Sequence, residues 1–177
     1  KLLTQGTTVH GGQAWDSRHR LFPIAYYHED AGIGLAFERL AQMKRVGIVG
    51  LSTGVMALYG KPGQQFDFYE IDQRVVDIAQ NRFDNLKASR ATIRHFVGDA
   101  RLELRKQPDR SYDMLILDAF TSGSIPTHLI TQDAIKEFLR VLRPGGVILY
   151  HISNRYVDLL PVLNCTAAKL DMQIMHH

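Results

Sequence analysis

The sequence predicts a doubly wound α/β fold, and three observations carry that expectation. Five short apolar runs have strand length, helical periods lie between them, and glycine or acidic residues stand immediately after the runs. At 177 residues the chain suits one domain of roughly 150 residues and leaves little room for a second. Hydrophobic residues make up 45% and charged residues 22%, ordinary globular usage that argues against a disordered tail. The longest apolar runs, such as Val147-Ile148-Leu149-Tyr150, fall far short of the roughly 18 residues that a membrane-spanning helix needs.

The elements follow in chain order. Residues 1–31 carry Thr7-Thr8-Val9-His10, a Gly11-Gly12 turn signal and Ile24-Ala25-Tyr26-Tyr27, expected as short antiparallel strands forming a β-hairpin lead-in. Ile33, Phe37, Leu40 and Met43 space an amphipathic helix over 32–43. The strand runs are 46–49, 66–71, 92–97, 114–117 and 147–150, all rich in branched or aromatic residues. Between the second and third, Val75, Val76, Ala79 and Phe83 recur at helical spacing. Between the fourth and fifth, Ile135, Phe138, Leu139 and Leu142 do so behind a Thr131 cap. Strand and helix in alternation imply a mostly parallel sheet with helices on both faces, because parallel neighbours need long right-handed return connections. A last helix over about 156–169 and a short sixth strand at 172–175 close the chain, with the sheet incomplete at one edge. Residues 32–177 are thus expected as a Rossmann-like α/β domain behind the lead-in, one compact unit. Because the first residue is Lys1, it is expected to be part of something longer.

Charge and cysteine content narrow the partners. The net charge of +3 is scattered, and the cluster Arg101, Arg105, Lys106 and Arg110 is interrupted by Glu103 and Asp109, which reads as a solvated helix face; no nucleic-acid partner is expected. The single Cys165 excludes an internal disulfide and a cysteine-rich metal site, fits a reducing compartment such as the cytoplasm, and is expected in the core. No metal is expected, and His176-His177 is left out of any metal argument.

In an open parallel sheet, ligands bind beyond the carboxyl ends of the strands where the winding reverses. Four groups stand there: Gly50-Leu51-Ser52-Thr53-Gly54, Glu70, Gly98-Asp99-Ala100 and Asp118. The first turn departs from the G-x-G-x-x-G dinucleotide pattern, so Gly50 and Gly54 also fit a plain tight turn leading into a helix. Glu70 follows Gly50 at the interval from which an acid reaches a ribose held over the turn; a surface acid at a strand end is the competing reading. Asp99 could accept from an exocyclic amine of a base, or cap the helix that starts at Ala100, and the two roles are compatible. Asp118 follows four apolar residues and opens the turn-rich stretch 121–126, where a charge is either functional or a turn cap. Turn glycines, a ribose acid, a base-side aspartate and a strand-end aspartate, with no P-loop or nicotinamide signature, suggest an adenosyl sulfonium nucleotide.

These residues resemble the spermidine synthase-like aminopropyltransferases, and most closely a bacterial subgroup often fused to membrane segments. The resemblance runs through Gly6-Thr7-Thr8-Val9-His10-Gly11-Gly12-Gln13, Tyr27-His28-Glu29, residues 46–54, Phe68-Tyr69-Glu70-Ile71-Asp72, Gly98-Asp99-Ala100-Arg101, Leu117-Asp118-Ala119-Phe120 with Ile125-Pro126, and His151-Ile152-Ser153-Asn154-Arg155-Tyr156. It implies a Rossmann-like fold of the S-adenosylmethionine-dependent methyltransferase type. It also implies transfer of an aminopropyl group from decarboxylated S-adenosylmethionine to a small amine, without a metal. By position, Gln13, Glu70, Asp99, Ala100 and Pro126 would meet the adenosyl thioether part, Tyr27 and His28 the amine, and Asp118 would accept the proton. A cytoplasmic enzyme, tethered to a membrane or assembled as a homo-oligomer in its full-length form, is what the resemblance suggests.

Two positions depart from the family pattern. Thr53 stands where an aspartate of the first turn binds the donor's ammonium, and Thr121 where a second acid follows the catalytic one. Without the first charge, discrimination between decarboxylated and carboxylated donors should fall. Two other readings therefore stay open: a methyltransferase using S-adenosylmethionine, and an adenosyl-nucleotide-binding domain without turnover.

Overall fold

The computed structural model describes residues 1–5, 8–119, 125–152 and 157–176. A two-stranded antiparallel ribbon, β1 (Leu2–Gln5) and β2 (Thr8–Gly12), leads in, followed by a single 3₁₀ turn at Ala25–Tyr27 and helix α1 (Gly32–Arg39). The body is a five-stranded sheet of β3 (Arg45–Val49), β4 (Gln65–Glu70), β5 (Thr92–Val97), β6 (Tyr112–Leu117) and β7 (Leu142–Tyr150). Its order is β5-β4-β3-β6-β7 and every pairing is parallel. The chain winds outward from β3 through β4 to β5, then returns to the other side of β3 for β6 and β7. The winding therefore reverses between β3 and β6, the place where such sheets hold ligands.

Side-chain alternation along the strands covers both faces. Phe66, Phe68, Met114 and Ile116 face a core shared with Tyr27, Phe37, Val55, Met56, Val76 and Ala79. Tyr69, Tyr112, Leu115 and Leu117 face the other, under helices α4 (Ala100–Arg105), α5 (Gln132–Val141) and α6 (Leu160–Lys169). Helices α2 (Gln73–Arg82) and α3 (Asn85–Ala88) join β4 to β5. Capping sets where helices begin: Asp72 accepts from Arg74 N–H before α2, and Thr131 accepts from Ala134 N–H before α5. Arg101 and Arg105 both pair with Glu137 across to α5, and Lys106 pairs with Glu103, so the basic cluster is largely neutralised within the fold.

Several expectations are corrected. Gly11 and Gly12 lie within β2 and not in a turn; a Cβ on Gly11 would come 2.5 Å from Ser52 Oγ, so glycine serves close approach there. Residues 24–27 form the 3₁₀ turn and not a strand, because Ala25 takes φ +56° and breaks extension. The glycine turn after β3 leads into a 3₁₀ run, Val55–Tyr59, in place of an α-helix. The segment 172–175 forms no strand, and Met175 is almost fully exposed. Cys165 is exposed: α6 buries Leu163 and Ala167, one helical turn apart, and Cys165 falls on the opposite side. Among the described residues no helix is long and apolar enough to cross a membrane.

Candidate active site

Strand register brings the candidate residues to one edge. Val49 pairs with both Tyr69 and Leu117, and Leu117 with Tyr150, so Gly50, Glu70, Asp118 and His151 emerge side by side. Backbone bonds extend this row: Gly50 N–H donates to Tyr69 O at 2.9 Å, Asp118 N–H to Val49 O at 2.9 Å, Gly98 N–H to Glu70 O at 2.9 Å and His151 N–H to Leu117 O at 3.0 Å. Gly50 has φ +96° and a Cβ there would lie 2.5 Å from Asp118 O, so only glycine lets β3 and β6 leave the sheet this close together. Gly54, at φ +73°, packs against Leu86 in the same way.

Glu70 braces the glycine turn. Its Oε2 accepts from Leu51 N–H at 3.0 Å and its Oε1 from Asp72 N–H at 3.1 Å. A carboxylate has about four acceptor positions, so two are left for a ligand hydroxyl. Asp99 caps α4 by accepting from Leu102 N–H at 3.0 Å, and His128 Nε2 stands 3.2 Å from its other oxygen. His128 belongs to the 3₁₀ turn Thr127–Leu129 that Pro126 opens, which brings the Pro126 segment beside Asp99 and the buried Ala100. Asp99 thus caps α4 while its second oxygen faces the turn that Pro126 opens.

Asp118 is nearly inaccessible, its side chain 4% exposed, and both oxygens are engaged. Tyr27 O–H donates to Oδ2 at 2.5 Å and His151 Nδ1 lies 2.6 Å from Oδ1. Burial first, and then the Asp118 charge, push the Tyr27 hydroxyl well above its ordinary pKa, so it stays a donor. Tyr27 is set in turn by Tyr59 O–H, which donates to its carbonyl at 2.5 Å; burial and the Glu29 charge hold Tyr59 up at about 12. The Tyr26 ring lies 4.3 Å from Tyr27 and 4.8 Å from His151 between centroids, and its hydroxyl donates to His10 O at 3.2 Å. Ser52 Oγ of the glycine turn donates to the same carbonyl. The lead-in therefore packs over the strand ends.

Three further positions complete the picture. His28 turns to Asp30, 3.4 Å away, and is not brought to Asp118. Gln13 is buried and donates from Nε2 to Asn85 Oδ1 at 3.2 Å, while its Oε1 has no partner among the described residues, an orphan acceptor suited to a ligand donor. Thr53 is fully buried, and Asn85 Nδ2 donates to its carbonyl at 3.0 Å, so the position expected to select the donor is packed inside. Thr121, with the rest of 120–124 and 153–156, lies outside the described residues. Sequence reasoning missed His151 as a site residue, although it ends the fifth strand run as Asp118 ends the fourth. Two surface grooves, of about 560 and 390 Å³, are lined by Lys1, Trp15 and Phe83 and by Glu29, Phe37 and Tyr59; neither includes Glu70, Asp99 or Asp118. Among the described residues no group of three or more His, Cys, Asp or Glu could hold a metal ion.

Among curated proteins, the chain is 34% identical over 113 residues to a polyamine aminopropyltransferase of Vibrio vulnificus (strain CMCP6), which covers 60% of this chain and 36% of that protein. It is 29% identical over 134 residues to one of Prochlorococcus marinus (strain MIT 9313), covering 69% and 44%. The resemblance to the spermidine synthase-like aminopropyltransferases is borne out. The chain spans less than half the length of these relatives. No family model matches it. A crystal structure of a probable spermidine synthase from Corynebacterium glutamicum superposes with a TM-score of 0.52 at 27% identity, over 60% of this chain and 39% of that one. Human methyltransferase-like protein 13, solved with SAH, superposes at 0.57 and 21% identity over 76% and 64%, a likeness of fold. The fold is that of the S-adenosylmethionine-dependent methyltransferases, with a short antiparallel ribbon at its start.

Proposed function

We propose that the chain carries the donor-binding and catalytic part of an aminopropyltransferase that moves an aminopropyl group from decarboxylated S-adenosylmethionine to a small amine. The observation that carries this reading is Asp118: a buried carboxylate at the reversal of the sheet, 2.5 Å from the Tyr27 hydroxyl and packed against the glycine turn. Glu70 would take the ribose hydroxyls, Asp99 and Ala100 the adenine side with Pro126, and Gln13 Oε1 a further donor hydrogen. Gly50 and Gly54 would shape the turn beneath the sulfonium.

The donor supplies an electrophilic carbon beside a sulfonium. The amine nitrogen forms the new C–N bond as the C–S bond breaks, its electron pair goes to sulfur, and methylthioadenosine leaves neutral, so no acid is needed at the leaving group. Activation falls on the amine, which with a pKa near 10 is mostly protonated at neutral pH. Asp118 attracts the ammonium, takes up or relays its proton and stabilises the charge that grows on nitrogen. Holding nitrogen and carbon in line is the larger part, since well-oriented pairs gain about 7 to 11 kcal/mol.

One observation favours a second reading. The packed, uncharged Thr53 gives no group to prefer an ammonium over a carboxylate in the donor, as a methyltransferase on the same sheet would require. Incubation with each donor and a panel of mono-, di- and polyamines, followed by mass detection, separates the two. Methylthioadenosine supports aminopropyl transfer, S-adenosylhomocysteine supports methyl transfer, and tight nucleotide binding without either product would sink both.

A further inference from the structure

We propose that His151 is a positioning residue for Asp118: from the end of β7 it holds one carboxylate oxygen while Tyr27 holds the other, so that the carboxylate meets the amine in one orientation. The inference rests on the role given to Asp118 above and adds a residue that the sequence argument left out.

The geometry starts from the sheet. Leu117 and Tyr150 are register partners and His151 N–H donates to Leu117 O at 3.0 Å, so backbone pairing sets His151 beside Asp118. Nδ1 and Oδ1 are 2.6 Å apart. Two lone pairs facing each other at that distance would repel, so a hydrogen lies between them, and with Asp118 as a carboxylate, which only accepts, Nδ1 is the donor. The Tyr26 ring, 4.8 Å away, walls the imidazole, and Tyr26 is anchored through its hydroxyl to His10 O at 3.2 Å.

An unclamped aspartate turns about its last bond through a broad, two-fold well. With a donor on each oxygen, that freedom is lost, and the remaining lone pairs keep a fixed direction. Charge-assisted bonds of this kind are short and about twice as strong as neutral ones. A nucleophile displaced by about 1 Å can lose on the order of 10²-fold in rate, so a clamp on its proton acceptor has a readable effect. A bond serving only to join β6 to β7 would instead show itself in stability and leave turnover alone.

The test uses the whole chain with whichever donor and amine turn over fastest. His151→Leu should lower kcat by about 10²-fold with donor affinity unchanged. His151→Asn, whose side-chain N–H falls near the place of Nδ1, should restore turnover to within about five-fold of wild type. The double variant Asp118→Asn/His151→Leu should be no slower than Asp118→Asn alone, as expected of residues acting as one unit. Melting temperatures of each variant show whether a loss of rate is a loss of fold. A Leu variant as fast as wild type, an Asn variant as slow as Leu, or losses that multiply in the double variant would overturn the proposal. If wild type yields no product from either donor, the functional reading fails by itself, and the clamp is read by nuclear magnetic resonance. A downfield His151 Nδ1 proton that disappears in Asp118→Asn upholds it, and no such proton overturns it.

Discussion

Replacing Asp67 by Asn should destabilise the fold by about 3 kcal/mol, and the figure follows from what surrounds it. Asp67 lies in β4 with no solvent exposure, and it accepts from Arg45 Nε at 2.9 Å, Arg94 Nε and Nη2 at 2.8 Å each, Tyr112 O–H at 2.7 Å and Gln65 Nε2 at 2.9 Å. These partners tie β3, β5 and β6 to β4 beneath the strand ends that carry the site. Asn keeps the size but removes the charge and turns one acceptor into a donor that faces donors. Removing one partner of a buried ion pair costs about 3 to 5 kcal/mol. The Arg94 side chain is 42% exposed and regains water, which favours the lower end. For a chain of this size, about 2 to 4 °C per kcal/mol gives a melting temperature lowered by about 6 to 12 °C. Acid dependence adds a second signature. Burial raises the Asp67 pKa, but hydrogen bonds from Arg94, Tyr112 and Arg45 outweigh it and hold the carboxyl below its ordinary value. Its contribution is therefore present above the unfolded value of about 3.9 and lost as pH falls through the lower folded one. Thermal and urea melts of both proteins between about pH 2 and 7 measure this. A loss under about 1 kcal/mol, or the same acid dependence in the variant, would refute the reasoning.

The remaining predictions concern the strand ends. Asp118→Asn should lower turnover by about 10² to 10⁴-fold with donor affinity kept, and a rate within three-fold of wild type, measured by product formation, would reduce Asp118 to a turn cap. Glu70→Gln should weaken methylthioadenosine binding by about 1.5 to 3 kcal/mol in calorimetry, and unchanged affinity would remove Glu70 from the site. Thr53→Asp puts a charge where no water reaches, so urea melts should show a loss of several kcal/mol, on the order of a buried unpaired ion, against little for Thr53→Ser. Full stability of the Asp variant would show the position open to solvent and return it to the donor-selecting groups.

Strands that form short, nearly continuous apolar runs were legible in the sequence almost to the residue. The runs 46–49, 66–71 and 92–97 differ from β3, β4 and β5 by one residue or none at each end, because branched and aromatic side chains fill both cores. The fifth run began five residues late. Arg143-Pro144-Gly145-Gly146 reads as a turn, yet β7 starts at Leu142, which pairs with Tyr112, while Val147 pairs with Met114. The extra residues bulge, with Gly145 at φ +77°, and nothing in local propensity separates such a bulge from a loop. The lead-in was least legible, since its conformation is set by contacts far along the chain: Gly11 against Ser52 and the Tyr27 carbonyl against Tyr59.

At the site, the strand-end rule found what a sheet places and missed what a loop brings. Glu70 ends β4, Asp118 directly follows β6 and Asp99 lies two residues past β5, so counting along the sequence reaches them. Tyr27 comes to Asp118 across 91 residues from a turn whose only local mark is an aromatic pair, and its neighbour His28, equally marked, faces Asp30. His151 satisfied the same rule as Asp118. Parallel register is the reason the omission matters: once Leu117 and Tyr150 are partners, the residues after them must be neighbours, and a carboxylate beside an imidazole at a strand edge is a pair before it is two residues. The charge pattern that results is uneven. Glu70 spends two of its acceptor positions on the turn and Asp99 one on its helix, whereas Asp118 is locked by side chains on both oxygens. Under the proposed function, the acids of the nucleotide end would share their oxygens with the backbone that shapes the crevice, while side chains would fix the direction of the acid at the reacting end, as an in-line displacement asks of its protein.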